Sequence, residues 1–142
     1  GVHTGKNVKL DILPASPNTG IVFKRVDLKK NNIVYPSYSN VTDTTLCTTI
    51  SNEFDVKVST TEHLMGAFYG IGIDNALVEI NSQEVPILDG SAKEFVDKLK
   101  EVGTKKSDVP IKLIKINNYV SMYNIFFKSG INIVKKPLMF FH

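Results

Sequence analysis

Two adjacent side chains, Glu62 and His63, carry the strongest chemical signal in this sequence. Leu64, Phe68 and Ile71 follow them at helical intervals, so the pair falls in the first turn of a helix that Gly70 and Gly72 end. At that position the unpaired backbone N–H groups and the positive end of the helix dipole favour a neutral imidazole, the form that binds a metal. The same field stabilises negative charge on Glu62. A carboxylate beside a metal-bound water is the usual general base of hydrolysis: the ion acidifies the water and the carboxylate takes its proton. A plainer reading stands beside this one. Ser59 and Glu62 have capping-box spacing, in which the glutamate accepts the N–H of the N-cap residue, and His63 is then a partly buried helix histidine.

Few other residues compete for chemistry. The histidines are His3, His63 and His142, and the one cysteine is Cys47. HExxH, CxxC and EF-hand spacings are absent, so a self-contained zinc site is not expected. No GxSxG elbow or Walker loop supports a serine hydrolase or a P-loop enzyme. Cys47 falls within a β-branched run and reads as a small buried hydrophobe. His3, between Val2 and Thr4-Gly5, reads as part of a surface turn.

The elements that must position these groups follow from periodicity and turn chemistry. Val8, Leu10 and Ile12 alternate with polar residues as a half-buried strand, and Pro14 to Gly20 supplies a turn. Residues 21–26 return as a second strand. Residues 27–40 read as a loop with at most a short edge strand, 44–50 as a strand, and 56–58 as its return. After the first helix, 75–80 reads as a buried strand, and 84–87 as a short one that Pro86 pushes to an edge. Ser91 and Glu94 repeat the capping-box spacing before a second helix with Phe95, Leu99 and Val102 on its apolar stripe, closed by Gly103. This order predicts an α+β two-layer sandwich, a mixed or antiparallel sheet with both helices packed on one face. Residues 1–103 form the expected domain and 104–110 a linker. Residues 111–142, opening with a strand at 111–116, are expected to start a truncated second domain or to be a non-native tail. Phe126, Phe127, Phe140 and Phe141 lie there without a clean period, and no Asp or Glu follows Asp108.

The bulk properties narrow the class. The chain has 142 residues, 42% hydrophobic and 22% charged, which suits an ordinary globular protein with its own core. No apolar run is long enough to cross a bilayer, and no signal segment opens the chain. The sequence begins at Gly1 rather than Met, which leaves open a lost upstream segment. A lone cysteine fits a reducing compartment. The net charge of +3 rests on lysines, with Arg25 the single arginine, so nucleic acid is not an expected partner.

Six segments in order carry a more specific signal: Gly1-Val2-His3-Thr4-Gly5-Lys6, Pro17-Asn18-Thr19-Gly20-Ile21, Asp43-Thr44-Thr45-Leu46-Cys47-Thr48, Ser59-Thr60-Thr61-Glu62-His63-Leu64, Gly70-Ile71-Gly72-Ile73-Asp74-Asn75 and Val85-Pro86-Ile87-Leu88-Asp89-Gly90-Ser91. At these residues the sequence resembles the UDP-3-O-acyl-N-acetylglucosamine deacetylases, zinc enzymes of bacterial lipid A biosynthesis. The resemblance runs from residue 1 to about residue 103. It implies the first of two similar α+β domains that face one another across the active site, and hydrolysis in the cytoplasm of the 2-acetamido group of a UDP-linked, 3-O-acylated glucosamine. On this resemblance His63 matches a Zn2+ ligand, and Glu62 matches the general base. Leu46 and Cys47 match residues lining the site near metal and substrate, and His3 matches a histidine near the cleft. Family members draw two further zinc ligands, a lysine and another histidine from the second domain. No histidine between His63 and His142 matches that set. The expectation is therefore an N-terminal half-site, inactive alone. The alternative is a non-catalytic fragment that binds a partner chain supplying the second half.

Overall fold

Ala76, Val78 and Ile80 alternate with Leu77 and Glu79, and that period of two buries one face of the molecule's central strand in the computed structural model, which describes residues 1–110. In chain order the strands are β1 (Leu10–Pro14), β2 (Ile21–Arg25), β3 (Ile33–Val34), β4 (Val41–Asp43), β5 (Thr49–Ser51), β6 (Lys57–Val58) and β7 (Ala76–Ile80). Helix α1 (Glu62–Ile71) lies between β6 and β7, and α2 (Lys93–Val102) follows β7. All belong to one compact unit, Gly1–Ile111. The strand expected at 111–116 and the segment 119–142 lie outside the described residues.

There are two sheets. The first has the order β1-β7-β2-β3 and is mixed: β7 runs antiparallel to β1 and parallel to β2, and β2 runs antiparallel to β3. Register places Ile12 and Phe23 on either side of Val78, and Val34 opposite Phe23, so one face carries a continuous apolar row. The second sheet, β4-β5-β6, is antiparallel and adds Ile50 and Val58 to the same core. Leu64, Ala67 and Phe68 of α1 and Phe95 of α2 complete it, with Val85 from the chain between β7 and α2. Each fully buried Phe or Leu contributes about 2–3 kcal/mol by leaving water. The α+β class expected from the sequence is the observed one, built with a second sheet.

Arg25 ties the two sheets together. Its Nε and Nη2 donate to the two carboxylate oxygens of Asp27 at 2.8 and 2.7 Å, and its Nη1 donates to the carbonyl of Lys57 in β6 at 2.8 Å. A buried guanidinium is tolerated because these bonds occupy its planar fork.

Three local expectations are corrected. The run 44–50 is not one strand: β4 ends at Asp43, a loop spans 44–48, and β5 begins at Thr49. Asp43 accepts the N–H and hydroxyl of Thr45 at 2.9 and 2.8 Å, a local turn that competes with the ladder. Cys47 therefore lies in a loop rather than in mid-strand. Segment 84–87 forms no named strand, only a parallel bridge between Ser59 and Glu84.

Neither capping box forms. The residue before α1 is Thr61, with no side-chain cap, and the Ser59 hydroxyl donates to the Gln83 carbonyl at 3.0 Å instead. Before α2 the Ser91 hydroxyl accepts the Lys93 N–H at 3.0 Å, one turn position earlier than a box requires. The other end of α1 follows expectation. Gly72 has φ of 74°, its N–H reaches back to Phe68 and Tyr69, and the Ile73 N–H bonds the Phe68 carbonyl at 2.9 Å.

Candidate active site

The start of α1 is held by three segments distant in sequence. The first is the 44–48 loop. Thr61 donates its N–H and its hydroxyl to the Thr48 carbonyl, each at 3.3 Å, and Glu62 Oε2 accepts the Thr48 N–H at 3.0 Å. Both backbone groups of Thr48 are thus taken by the helix start. Leu46 and Cys47, two and one residues upstream, are carried to that point by the chain. Leu46 is 80% exposed, while Cys47 is half-buried with its sulfur 3.8 Å from the Thr49 hydroxyl.

The second segment is 83–85. The Ser59 N–H donates to the Gln83 carbonyl at 2.8 Å, and the Val85 N–H donates to the Ser59 carbonyl at 3.0 Å. The third is the N-terminal turn, which joins through Glu84. This glutamate is fully buried. Its Oε1 accepts the His3 N–H at 2.9 Å, and its Oε2 accepts the N–H and hydroxyl of Thr4 at 2.9 and 2.7 Å. Burial alone would raise this carboxyl. The bonds from His3 and Thr4 outweigh it and hold Glu84 below the usual glutamate range. The His3 side chain is exposed, and among the described residues no hydrogen bond links it to Glu62 or His63. The structure thus joins Glu62 directly to the loop of Leu46 and Cys47, and joins the His3 turn indirectly through the Ser59–Glu84 bridge.

Glu62 and His63 are both half-buried on the first turn of α1. One Glu62 oxygen is fixed by Thr48, and the other accepts no hydrogen bond among the described residues, which leaves it able to take a proton. His63 is one imidazole donor. No cluster of three or more His, Cys, Asp or Glu that could hold a metal occurs among the described residues, so these residues do not by themselves fit a catalytic zinc. No helix among them is long and apolar enough to cross a membrane.

Reading the residues in sequence missed three that organise this region. Glu84 passed as a strand residue, although a glutamate beside Val85, Pro86 and Ile87 is an unusual resident of an apolar stretch. Thr48 contributes only backbone, which no side-chain pattern encodes. Thr60 precedes the helix at φ of 58°, with a buried hydroxyl that has no partner among the described residues.

A model of the UDP-3-O-acyl N-acetylglycosamine deacetylase family matches residues 1–133, reaching beyond residue 103, where the expected first domain ends. Curated proteins named UDP-3-O-acyl-N-acetylglucosamine deacetylase are similar to this chain. That of Methylococcus capsulatus is 47% identical over 116 residues, covering 82% of this chain and 38% of the relative. That of Teredinibacter turnerae is 49% identical over 120 residues, with 84% and 39% covered. That of Haemophilus influenzae strain PittEE is 44% identical over 121 residues, again with 84% and 39% covered. The chain thus spans about two fifths of the length of these relatives.

Proposed function

This chain belongs to the UDP-3-O-acyl N-acetylglycosamine deacetylase family, and we propose that residues 1–110 form one wall of a zinc-dependent site that hydrolyses the 2-acetamido group of a UDP-linked, 3-O-acylated glucosamine. The observation that carries this reading is the double hold of α1 on Thr48. It fixes one oxygen of Glu62 on a backbone N–H and leaves the other oxygen clear, with His63 next to it on the same helical turn. In this reading Glu62 is the general base that takes the proton of the attacking water. Thr48 keeps the carboxylate oriented, so little reorganisation is needed when the proton moves.

His63 would supply one ligand to a Zn2+ ion, and the rest of the set would have to come from residues outside 1–110 or from a second chain. A catalytic zinc takes three protein ligands and keeps an open position, and when bound it lowers the pKa of its water to about 7. Leu46 offers exposed apolar surface to the substrate beside the half-buried Cys47, and the His3 turn is held to the Ser59 segment through Glu84. The substrate is a soluble-headed lipid precursor, and the reaction belongs in the cytoplasm, with which the lone Cys47 agrees. Nucleic acid is no partner in this reading.

The test is acetate release from the UDP-3-O-acyl-N-acetylglucosamine with zinc present, by the 142-residue chain alone and mixed with a polypeptide carrying the remainder of a family member. The expected result is no turnover alone and turnover on mixing. Glu62→Gln, which keeps an acceptor for Thr48, should then lower the rate by roughly 10²–10⁴-fold. Robust turnover by the chain alone, or an unaffected E62Q mixture, refutes the reading. A second reading is a non-catalytic chain that binds a partner chain supplying the second half, and association without turnover would select it.

A further inference from the structure

Between the Ser59 bridge and the first turn of α1 there is a single residue in which the chain can change direction. Ser59 is fixed in extended pairing with segment 83–85, its N–H on the Gln83 carbonyl and its carbonyl on the Val85 N–H. Thr61 is already committed to the helix, since its carbonyl accepts the Met65 N–H at 2.9 Å and its N–H is bonded to Thr48. Thr60 makes the whole turn, with φ of 58°.

A β-branched residue is poorly suited to that conformation, because its Cβ substituents crowd the following carbonyl. Most positive-φ positions among the described residues are Gly, Asn or Asp, which tolerate it. Thr60 and Leu88 are the exceptions, and Leu88 is 39% exposed whereas Thr60 is 2% exposed. Thr60 also buries a hydroxyl with no partner among the described residues. Strain and an unsatisfied hydroxyl at one buried position both oppose folding, and they persist only where the surroundings hold them. What they adjoin is the pair Glu62 and His63.

We propose that Thr60 is a positioning residue, whose buried branched side chain locks a left-handed turn that aims Glu62 at Thr48 and sets His63 beside it. The shape of the side chain performs this task, and the hydroxyl does not. The functional weight of the proposal rests on the roles given above to Glu62 and His63. Its test uses neither metal nor substrate, so failure of the deacetylase reading and failure of the proposal are separate results.

Amide exchange of Thr48 and the ring resonances of His63 are followed by NMR in the 142-residue chain at one pH, with the Val78 amide as a control for global stability. Thr60→Gly accepts the same φ but removes the lock. It should speed Thr48 exchange by about tenfold and shift the His63 ring signals, with Val78 still protected. Thr60→Val keeps the shape and deletes the idle hydroxyl, so it should restore wild-type behaviour at both reporters. Wild-type Thr48 protection and His63 signals in T60G overturn the proposal. So does a T60V chain that behaves like T60G, since the hydroxyl would then be the holding group. If T60G does not fold, Thr60→Ala is read instead, and unchanged reporters in T60A overturn the proposal equally.

Discussion

Replacing Glu84 with glutamine changes one buried atom and tests how the N-terminal turn is held. The carboxylate accepts three hydrogen bonds, from His3 N–H at 2.9 Å and from the N–H and hydroxyl of Thr4 at 2.9 and 2.7 Å. A glutamine of the same shape offers one acceptor oxygen. If that oxygen faces Thr4, the new NH2 group meets the His3 N–H, donor against donor. A hydrogen bond to a charged group is worth about 1.5–3 kcal/mol, and an unpaired buried donor costs a further 1–3 kcal/mol or so. Against this, an amide is easier to bury than a carboxylate, whose desolvation costs several kcal/mol. The net expectation is a loss of about 2–3 kcal/mol, which for a domain of this size lowers Tm by roughly 10 °C. Urea unfolding should show a lower midpoint at unchanged slope, and exchange at the His3 and Thr4 amides should accelerate. An E84Q chain within about 0.5 kcal/mol of wild type, with both amides still protected, refutes the argument that this carboxylate anchors the turn.

Acid should weaken the same contact. The bonds from Arg25, opposed by partial burial, hold Asp27 below the usual aspartate range, and Glu84 is held low despite its burial. For both groups the unfolded chain binds its proton first as the pH falls. Their stabilisation is therefore complete above about pH 4.5 and is lost as the pH drops through the lower folded values. Acid titration followed by circular dichroism should show this, with a shallower acid limb in E84Q. Arg25→Lys keeps the charge but cannot form the fork to Asp27 and also reach Lys57, so urea melts should show a loss of about 2–3 kcal/mol. Phe68→Ala empties a fully buried site between the sheets and α1 and should cost about 3–5 kcal/mol by the same assay.

Much of the frame was legible because it depends on short-range periodicity. The apolar run in 75–80 marked a buried strand, and Leu64 and Phe68 marked the buried side of α1, since side-chain direction follows from backbone geometry alone. The strand expected at 44–50 failed for a local reason. β-branched residues suit a ladder, but Asp43 and Thr45 satisfy each other in a turn, and the backbone of Thr48 is engaged elsewhere. The first capping box failed because its polar groups found other partners: Ser59 met Gln83, and Glu62 met Thr48.

Local pattern was enough to start a helix at Glu62 and His63, to give that helix one buried face on a β layer, and to surround the pair with one family's motifs. Tertiary structure alone decided what Glu62 is bonded to, because Thr48 is 14 residues away and contributes only its backbone. It likewise decided that Glu84 holds the His3 turn across 81 residues of sequence, and that Thr60 turns left-handed against its own preference. Periodicity reports the direction of a side chain relative to its own element. The partner it meets there depends on how distant segments pack, and no local pattern contains that information.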